Sequence, residues 1–330
     1  MKKIMRGVLL FGMLGGMLLS CGNKKGNDSQ EQKKDSKVSE KVYKIGLSQI
    51  VDHPALNAAK QGFKDALAKA GVKADYDDKI ANNDMSNQTL IMQQFAADKK
   101  DLVFAVTTPT AQAAKNQVTG DTPVVFASVT DPKSAGLEGI PNVTGTSDKL
   151  ENVEAQLDLL LKIKPGTKKI GVLYNPSEQN SAVQVQEIQK IAKQKNIEVV
   201  LQGINNFGEL AQATKNLLGS TDALYLPTDN LVVSGMNLIA SEAVNAKKPV
   251  VVSENSSVKE GALFTMGLDY YALGKRTGEM AIEILKGKPV SQIPFETSKQ
   301  MKLYVNSKTA QALGLDVKNP AFSGAEFVGK

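Results

Sequence analysis

Residues 43–71 read YKIGLSQIVDHPALNAAKQGFKDALAKAG, and at residue 169 the chain begins again with KIGVLYNPSEQNS. In the first stretch, Tyr43–Leu47 has the length and apolar character of a short buried strand. From Ala55 to Ala70, apolar side chains fall at Leu56, Ala59, Phe63, Ala66, Leu67 and Ala70, the spacing of one helix face. Gly71 stands where a left-handed residue closes a helix. Gly46 and Gly71 are 25 positions apart, and so are Gly171 and Asn196. The segment from Glu178 to Lys195 therefore fills the slot of the first helix, and Asn196 is suited to the same left-handed cap.

Working outward, Lys73–Ile80 is a polar strand candidate, and a helix is predicted from about Ser86 to Ala97. Asp101–Val106 (DLVFAV) is an apolar strand, Thr108-Pro109-Thr110 opens a further helix, and Pro123–Ala127 (PVVFA) is the next strand. Strands alternating with helices imply a parallel, doubly wound sheet. The second half repeats the plan. DALYLPTD at Asp222 matches DLVFAVTT at Asp101, 121 positions earlier, and KPVVVSE at Lys248 matches TPVVFAS at Thr122, 126 earlier. Lys44 and Lys169 are 125 apart. Three strands matched in order predict an α/β chain with two domains of like topology.

Ligands of open parallel sheets bind beyond the carboxyl ends of the strands. Those ends offer Ser48, Gln49, Asp52 and His53, then Thr107 to Thr110, then Ser128, Thr130 and Asp131. The second half offers Asn175, Ser177, Glu178, Asn180 and Ser181, then Thr228, Asp229 and Asn230, then Ser253, Glu254 and Asn255. If the two domains face each other, these six polar loops meet across one cleft.

The chain has 330 residues, enough for about two domains. Its 42% hydrophobic and 22% charged residues are an ordinary globular balance, which excludes whole-chain disorder and fibrous classes. Net charge is +6, and Lys2, Lys3 and Arg6 account for half of it, so a nucleic-acid partner is not expected. One His and one Cys rule out a Cys/His zinc site and a disulfide within one chain. No phosphate-cradling glycine motif follows a strand, and no nucleophile elbow is present. Neither catalysis, nor a cofactor, nor a bound metal is expected.

Residues 1–20, MKKIMRGVLLFGMLGGMLLS, have a basic start and an apolar run too short to span a bilayer, the pattern of a secretory signal. Leu18-Leu19-Ser20-Cys21 resembles the bacterial lipobox, in which the cysteine is acylated and becomes the new N-terminus. Residues 22–41 contain a single apolar side chain, Val38, and read as a flexible tether.

Several motifs together carry a family resemblance. They are IGLSQIVDHPALNAAKQGF (45–63), TTPTAQAAK (107–115), PVVFASVTDPKSAGL (123–137), NVTGTSD (142–148), IGVLYNPSEQNS (170–181), YLPTDN (225–230) and GLDYYALGK (267–275). In that order they resemble the ABC-transporter substrate-binding lipoproteins whose members include tryptophan-binding proteins. The resemblance implies the type I periplasmic-binding-protein fold: two Rossmann-like lobes with parallel sheets, joined by a three-strand hinge. It implies a lobe of residues 43–146 plus 266–288 and a second of 147–265 plus 289–330, after a signal peptide (1–20) and a tether (21–42). It also implies a lipid-anchored, extracytoplasmic monomer, tethered through Cys21. Such a protein hands an aromatic amino acid to an ABC permease with a cytoplasmic ATPase. The same fold leaves open a nucleoside, sugar or branched amino acid as cargo, or a sensor that presents its closed form to a membrane receptor.

A zwitterion needs donors for its carboxylate and an anion for its ammonium. Thr108 and Thr110 sit at a helix start, where free N–H groups favour an anion, and Ser128 adds a donor. Asp229, Asp269 and Glu254 are the candidate ammonium partners. Gln49, Asn180, Ser181, Thr228 and Asn230 supply further polar contacts. His53 is placed to stack or hydrogen-bond, beside Tyr174, Tyr270, Tyr271 and Phe126 as the nearby aromatics, with Phe126 the one expected in the core. Tryptophan and phenylalanine are favoured over tyrosine, whose buried hydroxyl would need a partner of its own.

Overall fold

β1 (Tyr43–Gln49) is buried without interruption from Ile45 to Gln49, so it lies inside a sheet with layers on both faces. The computed structural model describes residues 41–149, 153–298 and 301–329. The signal, lipobox and tether readings fall on residues 1–42, nearly all of them outside the described residues.

After β1 come α1 (Pro54–Lys69), β2 (Ala74–Ile80), α2 (Met85–Ala97), β3 (Leu102–Val106), α3 (Thr108–Gln117), β4 (Val124–Val129) and β5 (Val143–Ser147). The strands pair in parallel in the order β2-β1-β3-β4-β5. The chain then forms α4 (Val153–Ile163), β6 (Lys169–Tyr174), α5 (Gln179–Gln194), β7 (Glu198–Gly203) and α6 (Leu210–Ser220). It continues through β8 (Ala223–Leu226), α7 (Asn230–Val233), α8 (Met236–Asn245), β9 (Val250–Val252), α9 (Asn255–Lys259) and β10 (Phe264–Leu268). These strands pair in parallel in the order β7-β6-β8-β9-β10, the same winding a second time. The internal repeat is therefore a repeat of topology: Ile45 pairs with Leu102 as Ile170 pairs with Ala223. Gly71 and Asn196 both take the left-handed conformation, at φ 73° and 56°.

Each sheet carries an apolar cluster on either face, which is why its central strands are continuous hydrophobic runs. In the first lobe one face packs on α1 and α10 (Tyr270–Leu285), with Phe63 stacked on Phe104 at 4.1 Å between ring centroids. α1 and α10 touch along glycines: a Cβ on Gly274 would fall 1.8 Å from the Ala59 carbonyl oxygen.

The chain leaves the first sheet after β5 and returns after β10, whose successor α10 packs on α1. Its third crossing comes later than the expected boundary at residue 289. β11 (Glu296–Thr297) pairs with β5, at Glu296 with Thr146 and Thr297 with Ser147, so residues 289–297 side with the first lobe. Three contacts hold them there. Ile293 is buried in the first core, its carbonyl accepts the Thr144 hydroxyl at 2.6 Å, and Arg276 of α10 grips Glu296 in a two-pronged pair at 2.6 and 2.8 Å. β12 (Met301–Asn306) then runs antiparallel to β10, followed by α11 (Ser307–Ala312) and β13 (Glu326–Val328) at the edge of the second sheet.

Candidate ligand-binding site

Parallel strands put all their carboxyl ends on one side of a sheet, and here the two sheets turn those ends toward each other. A narrow cavity lies between them. His53, Thr107, Thr108, Ser128 and Thr130 line it from the first lobe, and Asn180, Thr228, Asn230 and Glu254 from the second. Asp148 and Tyr270, which flank the first two crossings, complete the polar wall. Ala55, Leu56 and Val233 are its apolar part.

The local backbone is shaped for the site. Thr107 at the end of β3 and Ser128 within β4 have φ of 87° and 59°, a region that side-chain-bearing residues enter at a cost of about 1–3 kcal/mol. Thr107 thereby starts α3 abruptly, with Thr107 and Thr108 on the cavity wall. Thr108 Oγ1 accepts from Thr130 N at 3.3 Å. The Ser128 hydroxyl is buried and finds no partner among the described residues; the same holds for Asn180 Oδ1. Buried polar atoms are ordinarily paired, so two such atoms, one from each lobe, mark where a polar ligand would bind.

Charge is concentrated on the acidic side. Asp148 is fully buried; burial pushes its pKa up, against bonds from Tyr270 Oη at 2.5 Å and Thr130 Oγ1 at 3.0 Å. Behind the wall, burial and the neighbouring Asp229 carboxylate push the Glu178 carboxyl up, and burial raises Asp229 as well. His53 caps α1, its Nδ1 accepting from Ala55 N at 3.2 Å, while Nε2 faces the Glu260 carboxylate of the second lobe at 3.6 Å. Burial lowers its pKa, but Glu260, Glu254 and Asp52 together outweigh that and leave it raised.

Of the residues singled out in the sequence, His53, Thr108, Ser128, Asn180, Thr228, Asn230 and Glu254 come together on the wall. Five do not reach it. Gln49 spends its amide on the Val51 carbonyl and Asn57 Oδ1, both at 2.9 Å. Thr110 bonds Gln88 at 3.1 Å, and Ser181 bonds Asp229 at 2.6 Å. Asp229 caps α7, accepting from Val232 N as well as from Asn175 N and Ser181. Asp269 caps α10 through Tyr271 N and Ala272 N. The two aspartates are corrected to helix caps, the ordinary work of a carboxylate at a helix start. Glu254 does both, capping α9 through Ser256 N and Ser257 N while lining the cavity.

Asp148 takes the place expected for Asp229 and Asp269. Its signal is its position at the end of NVTGTSD, one residue past a strand. Among the aromatics, Tyr270 lines the cavity, Tyr271 is turned out to Asp65, and Phe126 is in the core as expected. Ala55, Leu56 and Val233 carry no sequence signal that separates them from core residues.

Contacts between the lobes are direct: Thr130 Oγ1 lies 3.2 Å from Thr228 Oγ1, and Gln184 Nε2 donates to Thr130 Oγ1 at 3.5 Å.

Residues 44–326 match the model of the family described as ABC transporter substrate binding protein. A tyrosine-binding protein of Clostridioides difficile (strain R20291) is 44% identical over 325 residues, covering 95% of this chain and 93% of that protein. Among solved structures, an ABC domain from Streptococcus pneumonia in complex with L-Trp has a TM-score of 0.82 at 32% identity, covering 87% of this chain and 100% of that one. A substrate-binding protein with adhesive properties from Clostridium difficile, in its ligand-free, open form, has a TM-score of 0.65 at 43% identity, covering 87% and 99%. The less identical complex superposes better than the more identical open form. The fold is that of a type I periplasmic binding protein. The chain is a binding protein rather than an enzyme, and it belongs to the ABC transporter substrate binding protein family.

Proposed function

We propose that the chain is an extracytoplasmic receptor that captures an aromatic amino acid, L-tyrosine or L-tryptophan, between its closing lobes. It hands the ligand to an ABC permease driven by a cytoplasmic ATPase. The observation that carries this reading is the closed interlobe cavity, with unpartnered buried polar atoms contributed by both lobes. The 44%-identical tyrosine-binding protein and the 32%-identical complex with L-Trp support the aromatic class.

The ligand carboxylate lies at the start of α3, where backbone N–H groups are free and the helix dipole favours an anion, with the Ser128 hydroxyl as a second donor. The ammonium lies toward Asp148. The ring packs against Leu56, Val233 and the face of Tyr270. The ranking of tyrosine below tryptophan and phenylalanine is given up, because the 44%-identical relative is a tyrosine-binding protein.

Closure then follows from binding. Ligand contacts reach both lobes only when they meet, so bound ligand favours the closed form by its differential affinity for it. The lipid anchor at Cys21 rests on the sequence Leu18–Cys21 alone. No helix among the described residues is long and apolar enough to cross a membrane.

The test is thermal unfolding of ligand-stripped protein against a panel. L-Tyrosine and L-tryptophan should raise the midpoint by mass action, and L-leucine, L-alanine, glucose and a nucleoside should leave it in place. A larger shift with a sugar or a nucleoside would replace the assigned cargo.

A further inference from the structure

We infer that Glu178 is a positioning residue: it fixes the side-chain amide of Asn180 so that the amide oxygen faces the cavity and accepts from the ligand's ammonium group. The inference rests on the amino-acid reading of the cavity and names a further determinant of it.

Glu178 precedes α5 but makes no capping bond to that helix. Its buried carboxylate turns sideways and accepts from Asn180 Nδ2 at 3.1 Å, Asn230 N at 3.1 Å, Asn230 Nδ2 at 2.5 Å and Leu231 N at 3.1 Å. The other Asn180 amide hydrogen goes to the Thr228 carbonyl at 2.6 Å. With both N–H bonds committed, the amide cannot flip, and its oxygen is left on the cavity wall, buried and without a partner among the described residues. An oxygen so held accepts from a cation and repels an anion. Donation from the same amide to a carboxylate also polarises it, making the oxygen a stronger acceptor. A carboxylate that served only to start α5 would bond to the first turn; this one bonds to two asparagines on the wall instead.

The placement agrees with the opposite polarity of the two ends of the site. The start of α3 favours the ligand's carboxylate, while Asn180 is linked through Thr228 and Thr130 to Asp148. Asp148 and Asn180 thus stand at the two ends of one hydrogen-bonded run that crosses between the lobes.

A double-mutant cycle separates a positioning role from a merely structural one. Calorimetric titration with L-tyrosine, and in parallel with L-tryptophan, is carried out on wild type, Glu178→Gln, Asn180→Ala and the double variant. Glutamine keeps the shape but turns an N–H group onto groups that need an acceptor. Glu178→Gln alone should weaken binding by about 10- to 100-fold, as loss of a charge-assisted bond does. In the Asn180→Ala background the same change should cost less than about 3-fold, because the oxygen it positions is gone. Equal losses in both backgrounds, or no loss in either, would overturn the inference. If Glu178→Gln does not fold by circular dichroism, Glu178→Asp, whose shorter carboxylate cannot reach both asparagines, takes its place in the cycle with the same two outcomes. Wild type that binds neither amino acid would instead overturn the reading of the cavity, and this inference with it.

Discussion

Tyr270 donates its hydroxyl to Asp148 at 2.5 Å, joining the first residue of α10 to the segment just past β5. The two residues flank the first and second crossings between the lobes, are 122 positions apart, and both line the cavity. One bond therefore ties the hinge to the site. Burial, the nearby Asp148 charge and this bond all hold the Tyr270 hydroxyl well above its ordinary pKa, so it stays a donor. Tyr270→Phe removes one of the two side-chain donors, Tyr270 and Thr130, that Asp148 has among the described residues. Removing a donor from a buried carboxylate costs about 1–3 kcal/mol, so denaturant titration should show a loss of that size. Affinity for L-tyrosine should fall about tenfold in calorimetry. Unchanged stability and affinity would remove the pair from both roles.

Ser128 predicts a trade. Its φ of 59° suits glycine, and its hydroxyl has no partner among the described residues. Ser128→Gly should raise stability by about 1 kcal/mol through relief of the backbone. It should also weaken ligand binding by about 3- to 10-fold through loss of a donor. A melting curve and a titration on the same preparation check both signs. A variant that binds as tightly as wild type would take Ser128 out of the site.

Closure should depend on pH through His53. Its pKa is raised in the closed arrangement, where Nε2 meets Glu260 of the opposite lobe. A raised value means that the proton favours this arrangement. The contribution is full below the ordinary value of 6.5 and is lost as pH rises through the raised value. Affinity measured from about pH 6 to about pH 9 should decline toward the alkaline end, within the range where histidine titrates. His53→Gln, which keeps a polar side chain without the charge, should flatten the profile. A wild-type profile as flat as the variant's would contradict the account.

The α1–α10 contact predicts a packing cost far from the ligand. A Cβ at Gly274 would meet the Ala59 carbonyl oxygen at 1.8 Å, so Gly274→Ala must push the two helices apart. Overpacking of this kind costs about 1–3 kcal/mol. The denaturation midpoint should drop accordingly; a midpoint equal to wild type would contradict the placement of α10 on α1.

Cys21→Ala should move the protein from the membrane fraction to the soluble fraction while leaving ligand affinity unchanged. Retention of the variant in washed membranes would contradict the lipid-anchor proposal.

The winding of the two sheets was readable in the sequence because period and punctuation agree. KIGL and KIGVL, the helix-face spacing after Leu56, and the paired caps at Gly71 and Asn196 all pointed one way. The third crossing was not readable. Gly287-Lys288-Pro289 ends α10 plainly, but β11 is two residues long, and its place is set by Arg276, Thr144 and Ile293, contacts with no periodic signature. At the site, the hydroxyls and amides at strand ends were found by position. Of the three carboxylates, Glu254 reaches the wall and Asp229 and Asp269 do not, because a helix cap and a ligand anchor look identical in sequence. Asp229 and Asp269 turned out to be caps, whereas Asp148 became a wall residue only because Tyr270 and Thr130 meet it from distant parts of the chain. Glu178 was visible as a polar residue at a strand end, but not as the acceptor that fixes Asn180 and Asn230.

The central claim is that the closed cavity between the lobes takes one aromatic amino acid. Calorimetric titration of ligand-stripped protein with L-tyrosine, L-tryptophan and L-leucine at several temperatures tests it most directly. The account predicts one site per chain, both aromatic ligands binding well above leucine, and a negative heat-capacity change from burial of the ring. Leucine binding as tightly as both aromatic amino acids, or no saturable heat with either of them, would contradict it.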